Sequence, residues 1–328
     1  MADVIVSAPY EDIGANTKQG RVYVFSGATF EVLYALTTPN PQTFTELGDN
    51  LAVGDINADG KGDIVVSAQT EYSGQCYCNG NVYAFSGATG SLLRTFTSQG
   101  NPELQFGSSI AVADLNHDAR TDVIVGSSML YDGSLDARTG LVHAFSGANG
   151  ALLYTLETPN PDLHFDGSFG FPVLARDVNG DGNADIIAGA SGEDSGTGAT
   201  YIFSSPTTLF KALRPDLTTT TGTQGELGFS VAIGDVDGNG TIDVIVGAPA
   251  ESHTVGNLQP NGSVYVFRDG SLPPPVGGIV EEPHLTSLSA TTTVSGDRSR
   301  AHAFGGAALV LVVAIGAGVW YATKVRSA

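Results

Sequence analysis

The chain has 328 residues, of which 34 are acidic and 14 basic, for a formal net charge of −20 at pH 7. So acidic a balance leaves no basic footprint for a phosphate backbone and excludes nucleic acid as a partner. Apolar residues make up 41%, enough for one large domain of about 270 residues with its own core.

The amino terminus reads as the interior of a repeat. Asp3-Val-Ile-Val-Ser-Ala-Pro9 matches the end of an acidic turn and the strand after it, and Val22-Tyr-Val-Phe25 matches a following strand. No positively charged, apolar leader comes first. The expectation is a signal-less fragment or truncated product that starts partway through a unit.

Four acidic turns of nine residues follow, beginning at residues 55, 114, 177 and 235, a spacing of 58 to 63 residues. Their side-chain oxygens stand at positions 1, 3, 5 and 9: Asp55, Asn57, Asp59, Asp63; Asp114, Asn116, Asp118, Asp122; Asp177, Asn179, Asp181, Asp185; and Asp235, Asp237, Asn239, Asp243. Position 6 is Gly60, Ala119, Gly182 or Gly240. Several oxygens gathered around one point by a sharp turn are what a hard cation such as Ca²⁺ requires. Asp, Asn and Gly are also ordinary turn residues, but four copies in register are not chance. An EF-hand is excluded, because no Glu follows at position 12 and no helices flank the turns. Twelve carboxylates in these turns account for much of the net charge, and four Ca²⁺ would offset eight of them. A generally acidic, solubilising surface is the other explanation.

Each turn runs into a β-branched stretch that fits a buried strand, such as Ile64-Val-Val66 or Val244-Ile-Val246. Ahead of each stands an apolar-Gly pair (Leu47-Gly48, Phe106-Gly107, Phe169-Gly170, Leu227-Gly228) opening a short strand. After each comes an alternating strand, as in Val82-Tyr-Ala-Phe85, usually closed by Ser-Gly-Ala, and then in most copies a fourth, as in 92–96 and 152–156. Four short strands per period, with no helical periodicity before residue 300, predict an all-β fold: a β-propeller of four-stranded blades over residues 1–270, about four to five blades present and the terminal ones incomplete. Unfinished blades leave unpaired edges, which are an aggregation hazard.

The apolar-Gly pairs, the acidic turns and the Gly-Ala-Pro-like strand endings (Gly247-Ala-Pro249, Gly189-Ala-Ser191, Ser7-Ala-Pro9) resemble the FG-GAP repeats of the integrin α-chain amino-terminal propeller. The resemblance covers roughly residues 1–268. It implies Ca²⁺ in the acidic turns, ligated by the residues named above together with the position-7 carbonyls of Lys61, Arg120, Asn183 and Thr241. It also implies that the opposite face of the propeller meets ligands. Ala119 departs from the Gly pattern, so the turn starting at Asp114 departs furthest from the family's site. No leg domains and no inserted domain with an Asp-x-Ser-x-Ser signature are found, and Thr323-Lys-Val-Arg326 stands where the family's juxtamembrane motif would be. These departures argue against pairing with an integrin β-chain.

Loops between the second and third strands differ in length from copy to copy: 10–19, 71–79, 131–139, 193–196 and 251–261. Variable loops on a rigid scaffold are where recognition usually lies. Tyr10, Tyr72 and Tyr131 are candidate aromatic anchors, or scattered surface tyrosines. Cys76 and Cys78 are close in sequence and either pair in an oxidising compartment or are incidental; a disulfide over one residue is awkward, and further zinc ligands are missing. Asn261-Gly-Ser263 is a glycosylation sequon. The six His are scattered and the aspartates belong to the turns, so no catalytic constellation emerges and no enzyme is expected.

Residues 271–302 are rich in Pro, Ser and Thr and cannot bury a core, which reads as a stalk. Residues 303–322 carry no charge and, at about 1.5 Å per residue, match a hydrocarbon core of about 30 Å. A transmembrane helix is expected there, with 323–328 as a short tail; a glycolipid-anchor signal is the runner-up and a buried core helix the bland alternative. Weak Ca²⁺ sites fill at extracellular concentrations, which places the propeller outside a single-pass membrane protein. The expected function is cell adhesion or recognition of an extracellular protein ligand, the alternatives being a glycan-binding propeller or the non-catalytic repeats of a surface hydrolase.

Overall fold

The structure is a computed structural model that describes residues 2–71, 80–98, 103–130, 140–160, 168–204, 207–214, 225–251 and 262–267. The stalk, the apolar segment 303–322, Cys76, Cys78, Asn261, Tyr72 and Tyr131 lie outside these residues. Among the described residues no helix is long and apolar enough to cross a membrane.

Among the described residues, eighteen strands form five antiparallel sheets, each an up-and-down meander in chain order. The first holds β1 (Val4–Ala8), β2 (Arg21–Phe25) and β3 (Val32–Leu36). The second holds β4 (Leu51–Gly54), β5 (Asp63–Ala68), β6 (Asn81–Phe85) and β7 (Leu92–Thr97). The third holds β8 (Glu103–Ala113), β9 (Asp122–Leu130), β10 (Leu141–Phe145) and β11 (Leu152–Glu157). The fourth holds β12 (Val173–Arg176), β13 (Asp185–Ala190), β14 (Ala199–Ser204) and β15 (Thr208–Leu213). The fifth holds β16 (Ser230–Gly234), β17 (Asp243–Ala248) and β18 (Ser263–Phe267). A helical turn, α1 (Glu193–Gly196), closes the link between β13 and β14, with Asp194 and Ser195 at positive φ.

The expected register holds. The β-branched runs are the second strands of their sheets, and β5 and β13 are buried along their whole length. A strand covered on both faces has no reason to alternate, and the covering comes from neighbouring sheets. Ile64, Val66, Tyr83 and Phe85 of the second sheet pack on Val22, Val24, Leu36 and Leu47. Val123, Val125 and Phe145 of the third pack on Val65, Val82, Ala84 and Phe96. The fourth and fifth sheets repeat the joint through Ile186, Ala188, Tyr201 and Phe203 and through Val244, Val246 and Tyr265. The leading face of each sheet thus seats on the trailing face of the one before. First strands of successive sheets also touch one another, β4 with β8, β8 with β12 and β12 with β16, the convergence expected of propeller blades.

The apolar-Gly pairs serve this joint. Leu47, Phe106, Phe169 and Leu227 are fully buried. The following glycines take φ between 90° and 107°, and a Cβ on Gly48 or Gly107 would come within 2.8 or 2.9 Å of the Cβ of Ser7 or Ser67 in the preceding sheet. The strands proper start two to three residues later, except in β8, which takes in Phe106 and Gly107 across a register shift. Outer strands add a second tie: Tyr34 Oη donates to the Ala88 carbonyl at 2.6 Å, and Arg94 Nε donates to the Gly147 carbonyl at 2.7 Å.

Candidate cation loops and the opposite face

Each acidic turn links the first strand of a sheet to the second. In all four, the position-1 carboxylate folds the turn around itself. Asp55 Oδ1 accepts from the Asp59 N–H at 3.0 Å and its Oδ2 from Gly60 N–H at 2.9 Å; Asp114 receives Asp118 and Ala119; Asp177 receives Gly180 and Gly182; Asp235 receives Gly238, Asn239 and Gly240. The position-7 N–H then bonds the position-5 side chain, from Lys61 to Asp59, Arg120 to Asp118, Asn183 to Asp181 and Thr241 to Asn239. These bonds require a left-handed residue at position 4 as well as at position 6. Position 4 is Ala58, His117, Gly180 or Gly238, with φ of 60° to 77°, and Ala119 at position 6 is held at 63°.

Position 9 plays a structural role that the spacing did not disclose. Asp63, Asp122, Asp185 and Asp243 are fully buried, and one oxygen of each accepts from N–H groups at positions 2 or 3, from Ile56, Leu115, Val178 and Val236. The other oxygen of Asp63 accepts from Gly87 N–H at 2.9 Å and that of Asp122 from Gly147 N–H at 3.0 Å. These are the glycines of the Ser-Gly-Ala endings. Asp3 makes the same bond with Gly27 in the first sheet. A Cβ on Gly87 would meet the Gly62 carbonyl at 1.9 Å, and one on Gly147 the Thr121 carbonyl at 2.0 Å. In the first three sheets the acidic turn and the Ser-Gly-Ala turn are therefore one interlocked unit, and Gly27, Gly87 and Gly147 after β2, β6 and β10 were the available signal.

Burial, opposed by the backbone hydrogen bonds, pushes the Asp63 and Asp122 carboxyls above their ordinary range, with Asp59, or Asp118 and Asp114, adding repulsion. The same burial, with Asp181 and Asp177 nearby, pushes Asp185 up to about 6. Crowded, partly desolvated carboxylates of this kind favour a cation among them. Asp235, Asp237 and Asp243 each bring a carboxylate oxygen within 4.8 Å of the others, a convergence found once among the described residues. Asp243 Oδ1 is buried without a hydrogen-bond partner. In two of the turns with Asn at position 3 the amide adds a bond within the turn: Asn57 Nδ2 donates to Asp59 and Asn179 Nδ2 to Asp181, both at 3.1 Å. The donor set fits a hard divalent ion, best in the turn at 235–243.

The loops joining second to third strands leave from the other end of each sheet. Their bases repeat: Gly20, Gly80, Gly198 and Gly262 donate their N–H to the carbonyls of Glu11, Glu71, Glu193 and Glu251. Glu71, Glu193 and Glu251 are buried and accept from Tyr83, Tyr201 and Tyr265 at 2.7, 2.5 and 2.5 Å; Tyr23 pairs likewise with Glu11. Arg214 adds a 2.6 Å ion pair to Glu193. In the third sheet the chain has Leu130 in place of the Glu, and His143 replaces the Tyr, contacting Thr155 Oγ1 at 2.9 Å. The pairing spans 8 to 14 residues, so only the fold makes it visible. Of the candidate anchors, Tyr10 is half exposed with the Lys18 ammonium 5.3 Å from its ring, and Lys18 also lies 5.7 Å from Phe44. Tyr72 and Tyr131 are outside the described residues.

The FG-GAP repeat family model matches residues 47–85, 106–145 and 227–267, and an FG-GAP-like repeat model matches 177–246. Phosphatidylinositol-glycan-specific phospholipase D of Bos taurus is 30% identical over 161 residues, 45% of this chain and 19% of that protein. Integrin alpha pat-2 of Caenorhabditis briggsae is 30% identical over 260 residues, 69% of this chain and 20% of that protein. Among solved structures, the Dos1 propeller superposes with a TM-score of 0.44 at 15% identity, covering 78% of this chain and 52% of that one. The chain spans about a fifth of the length of these curated relatives.

Proposed function

This chain carries FG-GAP repeats resembling those of integrin α-chains, and from that premise we propose that it is a Ca²⁺-loaded β-propeller acting by binding, in cell adhesion or recognition of a protein at the cell surface. The observation that carries the reading is the fourfold turn at 55–63, 114–122, 177–185 and 235–243, in which the position-6 N–H always bonds the position-1 carboxylate and which converges on three carboxylates in the last copy. The ligands are the side chains at positions 1, 3, 5 and 9 with the carbonyls of Lys61, Arg120, Asn183 and Thr241. A bound ion would supply the positive charge that lets buried Asp63, Asp122 and Asp185 stay ionised. The opposite face, with its Glu–Tyr loop bases, presents the recognition loops to an extracellular ligand. Residues 303–322 hold the protein in a membrane with the propeller outside.

The test is metal content by mass spectrometry after equilibrium dialysis against Ca²⁺, with thermal unfolding in Ca²⁺ and in chelator. About four ions per chain are expected. At ten times the dissociation constant each site adds about 1.4 kcal/mol to folding. An unchanged melt with no bound Ca²⁺ sinks the reading. Immobilised extracellular proteins and a glycan array, each probed with and without chelator, separate adhesion from glycan binding. The phospholipase D relative favours one second reading, that the repeats are a non-catalytic part of a surface hydrolase, and transfer of the repeats onto a hydrolytic domain with a gain in surface targeting would support it.

A further inference from the structure

The acidic turns at 55–63 and 114–122 are stitched to each other. Thr121, position 8 of the later turn, donates its N–H to the Asp55 carbonyl at 2.9 Å, and Arg120, position 7, donates from Nη1 to the Asn57 carbonyl at 2.7 Å. Two glycines make room for the contact. A Cβ on Gly54 would stand 2.5 Å from Thr121 Cγ2, and one on Gly147 would stand 2.0 Å from the Thr121 carbonyl and 3.5 Å from Ile56 Cγ2. Positions 7 and 8 of the next two turns are Asn183-Ala184 and Thr241-Ile242, whose side chains are too short to repeat the reach of the arginine. Among the described residues no backbone bond joins 114–122 to 177–185, or 177–185 to 235–243.

We propose that Arg120 couples these two turns, so that Ca²⁺ in one raises the affinity of the other, while 177–185 and 235–243 fill independently of each other; this rests on the reading of the turns as Ca²⁺ sites. Arg120 belongs to both members of the pair. Its carbonyl is a ligand of the turn 114–122 in that reading, and its N–H donates to Asp118 at 2.9 Å. Its guanidinium holds the backbone of Asn57, position 3 of the turn 55–63. An ion on the Arg120 carbonyl therefore takes freedom from the neighbouring turn as well, so the next ion has less ordering to supply, and the effect is reciprocal. Repulsion between the two ions works against this. Positions 4 to 6 of both turns are exposed, however, so water and salt screen the charges over a Debye length of about 8 Å, whereas the stitch acts through direct bonds. The turn that gains most is 114–122, where Ala119 is held at φ 63° without the freedom of glycine.

The experiment takes the full chain in a mild detergent through a Ca²⁺ series. Calorimetric titration reads binding, and hydrogen–deuterium exchange reads the Ca²⁺ midpoint at which each turn becomes protected. Asp59→Ala and Asp181→Ala remove the same exposed position-5 carboxylate from one turn each, and circular dichroism confirms that the variants are folded. Asp59→Ala raises the midpoint of 114–122 about fivefold or more, and Asp181→Ala leaves that of 235–243 where it was. In an Arg120→Met background, which keeps the backbone carbonyl, Asp59→Ala no longer moves 114–122. A wild type that binds no Ca²⁺ removes the calcium reading and the coupling with it. A wild type that binds Ca²⁺ while Asp59→Ala leaves the 114–122 midpoint unmoved or lowers it overturns the coupling alone. So does a shift of the same size in the Arg120→Met background, or a matching shift at 235–243 on Asp181→Ala.

Discussion

Replacing Ala119 by Gly should stabilise the protein, and the amount follows from the backbone. Ala119 sits at position 6 of its turn with φ of 63°, where the other copies have Gly60, Gly182 and Gly240 at 82° to 88°. An L-residue pays about 1–2 kcal/mol in this region. Glycine removes that cost but loses about 0.4–1 kcal/mol through the greater freedom of the unfolded chain, leaving a net gain of about 0.5–1 kcal/mol. Packing does not alter the balance, since Ala119 is exposed and a Cβ at Gly60, Gly182 or Gly240 would find nothing within 4 Å. In a domain of this size the gain is a rise of about 1–4 °C in Tm, read by calorimetry in chelator. Gly182→Ala should lower Tm by a similar amount. If Ala119→Gly leaves Tm unchanged or lowers it while Gly182→Ala is harmless, left-handed strain does not govern these turns.

Gly147→Ala drives a Cβ to 2.0 Å from the Thr121 carbonyl and displaces the N–H that holds Asp122; a loss of about 3 kcal/mol or more is expected, visible as a fall in Tm or in soluble yield. Tyr83→Phe removes the donor to buried Glu71 and should cost about 1–3 kcal/mol in denaturant unfolding. Burial raises the Glu71 carboxyl above its ordinary range, so the folded state holds its proton more tightly than the unfolded state. Stability from this group is therefore full below the unfolded value of about 4.3 and is lost as pH rises through the folded value. Glu71→Gln should flatten the fall in Tm as the pH rises above the unfolded value in chelator, and a Tm difference between wild type and variant that does not vary with pH refutes the assignment.

The sequence by itself determined the repeat, the strands and the acidic turns, because these are local: β-branched runs, a nine-residue pattern of Asp and Asn, and an apolar-Gly pair each specify a conformation within a few residues. It also placed the unusual Ala119. Only the tertiary structure decided what those residues do to one another. Asp63 and Asp122 are near-fixed positions of a turn in the sequence, but in space they bond glycines at the end of the third strand, 24 and 25 residues on. Glu71 reads as the start of a variable loop, yet it is a buried acceptor for Tyr83. Val4 and Ile64 are alike in sequence and differ in burial, because burial of a sheet face is a property of the neighbouring sheet. Short-range sterics fix the first class of feature, and the stacking of one sheet on the next, which no single repeat contains, fixes the second.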